Sequence, residues 1–213
     1  MAIVTAGSPP TTPAGPATPE VVDPLAHPYR LTVDRYYQMV ESGIFTSKDP
    51  VYLWKGRLVE KMSRNRPHSY ATGRLGRIMN QIVPAGWFVD QEQPMAIPDD
   101  GVPEPDLTVI RGADSDFKSR WVTAADVALV VEVADSSLGK DRGTVMEAYA
   151  AARIPVYWIV NLRDRLVEVY TDPEGGPGVA LYRTQRTFGP DQAVPVILDG
   201  RAVGQFLVGE ILP

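Results

Sequence analysis

The chain contains no cysteine, and only His27 and His68 supply imidazole groups among its 213 residues. The lack of cysteine excludes disulfide bonds and thiolate-bound zinc, and it leads us to expect a cytoplasmic location. Two histidines are too few for a histidine-rich metal site. Any bound metal is therefore expected to be a hard cation held by oxygen ligands.

Long apolar runs are also missing, and we expect no signal peptide. No stretch approaches the roughly 18 apolar residues that a membrane-spanning helix needs, so we expect no membrane partner. The first residues lack a basic start and lead directly into proline and threonine. The formal net charge of −5 argues against a protein whose whole surface binds nucleic acid, but it leaves room for a local basic cleft.

The beginning of the chain is rich in proline, alanine and threonine and shows no hydrophobic periodicity. We interpret residues 1–28 as a disordered tail for this reason. The length of the chain fits one domain plus such an appendage, and residues 29–213 are the predicted domain.

Alternating helices and strands are predicted in residues 29–213. Thr32 predicts an N-cap, Asn65 to Pro67 begin a second helix, and Lys55-Gly56 predicts a tight hairpin turn. The predicted elements are helix 33–40, strands 51–54 and 57–62, a helix opened by residues 65–67, strands 87–91, 106–110 and 127–133, helix 141–152, strands 156–160 and 166–170, and short strands after 175. This order predicts an α/β or α+β fold with a mixed central sheet flanked by helices.

Two carboxylates stand in segments that otherwise have the composition of buried strands. Asp106 directly precedes the apolar run 107–110, and Glu132 lies inside the run 127–133. Burying a bare carboxylate is costly unless a partner or a metal replaces its lost hydration. Two such acids on neighbouring strands indicate a divalent-cation site.

Structural explanations remain open for these residues. A carboxylate after proline often caps a turn, as Asp106 would, and Glu132 could form a buried salt bridge with Arg142 or Lys140. His68 is expected on the inward face of the second helix. There it would serve as a general base, as a hydrogen-bond donor to phosphate, or simply as a core histidine.

An ordered run of motifs is more specific than the acidic pair alone. It consists of Pro105-Asp106, 131–138, Asp141-Arg142, Tyr149-Ala150 and 154–160, with Lys61-Met62 and 65–68 in the N-terminal half. These motifs resemble the family named "putative restriction endonuclease", which is common in cyanobacteria and other bacteria. That family belongs to the PD-(D/E)XK nuclease superfamily, and the resemblance implies a restriction endonuclease-like core.

The resemblance also implies a metal site. In this family, the aspartate of the Pro-Asp motif and the glutamate of the next strand hold a divalent cation, here Asp106 and Glu132 with Mg²⁺ or Mn²⁺. The Val133 carbonyl is the expected third ligand. Such a cation polarises the scissile phosphate and lowers the pKa of an attacking water.

The chain departs from the family pattern at the lysine that accompanies the two acids. The superfamily places it two residues after the strand glutamate, where this chain has Ala134. This family usually carries it in a helical Asp-Arg-x-x-Lys stretch, where the chain has Val145. Lys140 is the candidate replacement. Glu60 in the hairpin is a candidate supporting acid, although it could equally be a solvated residue.

The resemblance therefore implies a divalent-metal-dependent DNA endonuclease that hydrolyses phosphodiester bonds. Its candidate catalytic residues are Asp106, Glu132, Lys140, His68 and Glu60. A homodimer is compatible with this function because cutting both strands of a duplex needs two sites. The alternative is a catalytically impaired protein of the same fold that binds nucleic acid or a protein partner, and the missing lysines favour it. A hydrolase of another phosphodiester is a third hypothesis.

Overall fold

The computed structural model describes residues 28–46, 48–61, 63–98, 100–176 and 178–213. The predicted tail, residues 1–28, lies outside this part of the chain except for Pro28. Within the described ranges, no helix is long and apolar enough to cross a membrane.

The described chain alternates helices and strands, as the sequence predicts. In chain order the elements are α1 (Val33–Glu41), β1 (Val51–Trp54), β2 (Arg57–Glu60), α2 (Arg66–Ile82), β3 (Trp87–Asp90), β4 (Gly101–Val102), β5 (Leu107–Arg111), β6 (Val127–Ala134), α3 (Leu138–Lys140), a π-helical turn (Asp141–Val145), α4 (Met146–Ala151), β7 (Val156–Asn161), β8 (Leu166–Glu174), β9 (Leu181–Phe188), β10 (Ala193–Leu198) and β11 (Arg201–Leu207). The predicted N-cap at Thr32 is confirmed, because its side chain accepts the Arg35 N–H. The second helix begins where residues 65–67 predict it, and the side chain of Asn65 caps it by accepting the His68 N–H.

A six-stranded mixed sheet forms the centre of the fold, with strand order β3-β5-β6-β7-β8-β9. Strands β6 and β7 run parallel, and the other neighbouring pairs run antiparallel. β6 and β7 are buried almost throughout, as their continuous Val- and Ile-rich sequences predict. Glu132 is the partly exposed residue of β6. The predicted α/β class with a mixed central sheet is confirmed.

Apolar layers cover both faces of this sheet. On one face, α2 and the β10–β11 hairpin pack over Leu129, Val131 and Trp158. On the other face, α4 packs through Tyr149 over Val130 and neighbouring strand residues. A separate small sheet consists of three strands in the order β2-β1-β4. Its residue Leu53 packs against α1.

The segment between β6 and β7 differs from the prediction. A single helix over residues 141–152 is wrong, because the helical segment starts at Leu138 and changes to a π-helical turn at Asp141–Val145. Gly143, with φ −108° and ψ −106°, leaves the helical region inside that turn. A π turn contains an extra residue, which changes the direction of the side chains on either side of it.

The remaining differences concern strand ends. The second hairpin strand ends at Glu60 rather than at residue 62, and β8 continues past residue 170 to Glu174. The two-residue strand β4 was not predicted, because a strand this short has no hydrophobic period. Pairing with β1, rather than local sequence, defines it.

Gly56 lies in the β1–β2 turn, where its backbone adopts a φ of +73° and approaches Arg30 closely. A Cβ added at Gly56 would lie 2.7 Å from the Arg30 Cβ. Gly43 has a similar φ of +75°, but an added Cβ would meet nothing within 4 Å.

We expect Gly43→Ala to lower the unfolding free energy by about 1 kcal/mol through its backbone conformation alone. Gly56→Ala should lower the unfolding free energy by more than Gly43→Ala does, because its new Cβ would also clash with Arg30. Chemical denaturation of both variants measures the difference, and equal losses would contradict it.

Candidate active site

A cleft of about 570 Å³ lies between the small sheet and one end of the six-stranded sheet. Strands of the small sheet supply one wall, and the segment after β6 supplies the opposite wall. All of the candidate site residues line this cleft. The cleft is lined, among others, by Glu60, His68, Asp106, Glu132, Val133, Lys140, Asp141 and Val145.

Asp106 and Glu132 stand side by side because their strands pair. Leu107 is paired with Val131, which places Asp106, one residue before β5, beside Glu132 in β6. Asp106 is buried, and its Oδ2 accepts the Val133 N–H at 2.7 Å. The Glu132 Oε1 accepts the Tyr149 hydroxyl at 2.6 Å. Both acids are thus held in fixed positions by groups of the neighbouring strand or helix.

His68 joins this pair from helix α2. Its Nε2 lies 3.1 Å from the Asp106 Oδ2, and its side chain is 14% exposed. The hydrogen bond to Asp106 raises the pKa of His68, against the opposite effect of burial. The inward orientation predicted from the helix spacing is therefore correct, and His68 contacts a candidate metal ligand rather than the apolar core alone.

Asp141 is a third acid in the cleft that the sequence analysis used only as a motif position. It is 3% exposed, and its Oδ2 accepts the Ser137 hydroxyl at 2.5 Å. Burial raises the pKa of Asp141 above its ordinary value. The signal that could have found it is its place on the sheet-facing side of the helix, in line with Val145 and Ala148.

The three acids affect one another electrostatically. Burial, followed by the negative charges of Asp106 and Asp141, raises the pKa of Glu132 well above its ordinary value, against the hydrogen bond from Tyr149. Crowded carboxylates of this kind are stabilised in their ionised form by a cation. The arrangement therefore favours the binding of a positive ion.

The donor set fits a hard divalent cation. The free carboxylate oxygens, Asp106 Oδ1 and Glu132 Oε2, accept no hydrogen bond from the described residues. Mg²⁺ is commonly held by one or two carboxylates, with waters completing its coordination. Within the described ranges, no group of three or more histidine, aspartate or glutamate side chains is arranged to hold a metal by itself. The described part of the chain thus offers two free carboxylate oxygens in this cleft to a hard divalent cation.

Lys140 reaches the cleft from α3. Its Nζ donates to the Tyr52 hydroxyl at 3.2 Å. Burial lowers the pKa of Lys140, but Tyr52 and the charges of Glu132 and Asp141 outweigh it and raise the pKa overall. A protonated amine is therefore present beside the acids at neutral pH.

The two positions where the family pattern expects lysine are apolar and buried. Ala134 is 0% exposed and packs in the core on the α4 side of the sheet. Val145 is 3% exposed and lines the cleft wall. Lys140 thus enters the same cleft as Val145, five residues earlier in the chain.

Glu60 lies at the rim of the cleft and is exposed. Among the described residues, no hydrogen bond joins it to the two central acids. Its position is compatible with a supporting role and equally with a solvated strand residue.

A hydrogen-bond network around the buried Glu168 anchors the π-helical turn that carries Asp141. Arg142 donates to Glu168 through Nε at 2.9 Å and Nη2 at 2.6 Å. Tyr170 and Asn161 also donate to Glu168, at 2.5 Å and 3.1 Å. The suggested salt bridge between Arg142 and Glu132 is therefore wrong, because Glu168 takes the guanidinium instead. Arg142 turns away from the cleft while Asp141 faces it.

Comparison with known proteins assigns the family. A family model described as "Putative restriction endonuclease" (Uma2) matches residues 33–202. The chain belongs to this family. A crystal structure described as "a putative nuclease belonging to DUF820" from Anabaena variabilis superposes with a TM-score of 0.61 at 15% identity, covering 85% of this chain and 97% of that one. At this identity the likeness shows a shared fold. No curated protein sequence matches the chain.

Arg142→Met should destabilise the protein in a pH-dependent way. Burial raises the pKa of Glu168, but the bonds from Arg142, Tyr170 and Asn161 outweigh it, so the pKa lies below its ordinary 4.5. This stabilisation is present above pH 4.5 and is lost as the pH falls through the folded-state pKa. At pH 7 we expect a loss of about 2 kcal/mol, less than for a fully buried pair because Arg142 is 44% exposed.

Denaturation at pH 7 and at pH 3 measures this effect. The difference in unfolding free energy between the wild type and Arg142→Met should be smaller at pH 3 than at pH 7. Arg163→Met is the matched control, because that guanidinium is 63% exposed and lies 3.9 Å from its nearest carboxylate partner. A loss that is the same at both pH values would contradict the ionic role of Arg142.

Proposed function

We propose that the protein is a divalent-metal-dependent endonuclease that hydrolyses phosphodiester bonds in DNA. The observation that carries the proposal is the convergence of Asp106, Glu132 and Lys140 in one cleft of this fold. Membership of a family described as restriction endonucleases supports nuclease activity in general.

Asp106 and Glu132 would hold Mg²⁺ or Mn²⁺, with the Val133 carbonyl as a third ligand. When bound, such an ion polarises the scissile phosphate and makes a bound water more acidic. The oxygen donors of the two carboxylates suit both metals.

The protein's own groups prepare the site before substrate arrives. The Val133 N–H and His68 hold one oxygen of Asp106, and the Tyr149 hydroxyl holds one oxygen of Glu132. Hydrogen bonds of this kind orient metal ligands and set their basicity. Because these contacts are already formed, little reorganisation is needed when the reaction begins.

Lys140 is the proposed cation for the phosphate. Its ammonium group lines the cleft with the acids and would stabilise the negative charge that develops on the phosphate oxygens. Glu60 at the rim is proposed as a supporting acid. A cytoplasmic location and a homodimer, which would supply two sites for a duplex, complete the proposal.

A second candidate is a catalytically impaired member of the family that binds nucleic acid or a protein partner. The observation in its favour is that Ala134 and Val145 fill both expected lysine positions with buried apolar side chains. Measurements of DNA cleavage and of metal binding distinguish the two candidates. The endonuclease must cleave DNA, whereas the impaired protein can bind metal without cleaving.

Plasmid cleavage in Mg²⁺ and Mn²⁺ tests the endonuclease directly. Nicking or linearisation by the wild type should be lost in Asp106→Ala and in Glu132→Gln, since each removes a proposed metal ligand. Asp191→Asn, at the exposed β9–β10 turn, is the control and should cleave normally. Cleavage by Asp106→Ala at the wild-type rate would eliminate this site as the catalytic centre.

Thermal unfolding with added metal tests the site without turnover. A metal at 100 times its Kd stabilises the folded state by about 2.7 kcal/mol, which raises the Tm of the wild type. Asp106→Ala and Glu132→Gln should lose this increase. A metal-dependent Tm without cleavage would favour the impaired candidate, and no Tm increase in either metal would contradict the metal site.

Lys140→Met tests the replacement amine. The variant should keep the metal-dependent increase in Tm but lose cleavage by about 10²- to 10³-fold, as when one preorganised charge stabiliser is removed. Lys118→Met, at an exposed position outside the cleft lining, is the control. Unchanged cleavage by Lys140→Met would show that this lysine does not replace the missing one.

A further inference from the structure

One wall of the cleft is aromatic, and the proposed chemistry does not use it. In strand β1, Leu53 is 1% exposed and packs against α1. Because side chains alternate along a strand, Tyr52 and Trp54 face the opposite side. Both line the cleft and are partly exposed, with ring centroids 6.4 Å apart. The small sheet therefore lines the cleft with two aromatic rings, of which Trp54 also packs against the apolar layer on the α4 side.

The aromatic wall is continuous with the candidate active site. Lys140 joins them, since its Nζ lies 3.2 Å from the Tyr52 hydroxyl and 5.7 Å from the centre of that ring. The same lysine is close enough to Glu132 and Asp141 for their charges to affect its pKa. A ligand that contacts the rings would thus extend directly to the acids.

The charges around the cleft argue against affinity based mainly on phosphate contacts. The Lys61 Nζ lies 2.7 Å from Glu104, and Arg64 forms an ion pair with Glu92. Lys140 faces carboxylates, and the chain as a whole carries a net charge of −5. Duplex binding through phosphates requires several cations that displace counterions. The cations lining this cleft are largely neutralised by neighbouring acids.

Aromatic rings offer another source of affinity for nucleic acid. Bases stack on such rings whatever their sequence, provided that their faces are free. In a duplex those faces are covered by neighbouring base pairs, so a base must be unpaired or extruded to reach the rings. The cleft volume of about 570 Å³ lies within the range of about 300 to 1,000 Å³ that is usual for small-ligand sites.

We propose that Tyr52 and Trp54 form a subsite for an unpaired nucleobase, so that the preferred substrate is DNA with single-stranded or extruded nucleotides. The inference rests on the proposed nuclease function and specifies its substrate. A base stacked on this wall places its own phosphate toward Lys140 and the acids.

Binding without turnover tests the subsite. Fluorescence anisotropy of the full chain in EDTA, with a labelled 12-nucleotide single strand and with the same sequence as a duplex, gives both Kd values. We expect the single strand to bind at least tenfold more tightly. Trp54→Leu should weaken single-strand binding by about tenfold, within the range measured for loss of one stacked base, and should leave duplex binding unchanged.

Trp121→Leu is the matched control. The Trp121 ring stacks on Tyr37 at 4.4 Å and does not line the cleft, so its loss should leave both Kd values unchanged. Trp54→Phe provides a second test that keeps an aromatic ring. It should retain most of the single-strand affinity, while the quenching of tryptophan emission by the bound strand should decrease relative to the wild type.

Three results would overturn the subsite: duplex binding as tight as single-strand binding, equal effects of Trp54→Leu and Trp121→Leu, or unchanged quenching in Trp54→Phe. If Trp54→Leu does not fold, the Trp54→Phe variant tests the subsite instead. Quenching as strong as in the wild type would then overturn the proposal. Failure of the nuclease proposal gives a different pattern, namely no cleavage of the plasmid or of the 12-nucleotide single strand in Mg²⁺ or Mn²⁺, whatever the binding results. Cleavage by the wild type with unaltered binding by Trp54→Leu would remove the subsite alone.

Discussion

The hydrogen bond from the Val133 N–H to the Asp106 carboxylate, at 2.7 Å, joins the end of β5 to the strand that carries Glu132. It holds a buried acid at the end of the central sheet that lines the cleft. Because the carboxylate is fixed by the backbone, the position of Asp106 depends on strand register rather than on a flexible loop. The contact of His68 with Asp106, and the spacing of the two acids, both follow from this arrangement.

The opposite side of the site depends on the π-helical turn after β6. Arg142 is bound to the buried Glu168, and this anchor lets Asp141 face the cleft while Lys140 approaches from the preceding turn. A regular helix would present different side chains to the sheet. Lys140 thus brings an amine into the cleft although the residues at positions 134 and 145 are apolar.

The acidic side chains and the aromatic side chains of the cleft offer two different kinds of interaction to a ligand. The acids suit a cation, and through it a phosphate, whereas Tyr52 and Trp54 suit a flat apolar group. The Lys140 amine donates to the Tyr52 hydroxyl, and the charges of Glu132 and Asp141 act on it from the other side of the same cleft. Under the proposed base subsite, the affinity of this negatively charged chain for nucleic acid would not depend on phosphate contacts alone.

The sequence by itself determined the helix caps, the β1–β2 turn, the buried strands β6 and β7, and the unusual acids Asp106 and Glu132, because these features follow from local periodicity and composition. Only the tertiary structure decided which polar side chains meet. Asp141, Lys140 and the aromatic wall converge through a π turn and a two-residue strand, whose geometry is defined by contacts distant in sequence. Local patterns carry no information about such contacts. The acid pair, His68 and Lys140 could therefore be named as candidates from the sequence, whereas the positions of Asp141, Tyr52 and Trp54 in the same cleft could not.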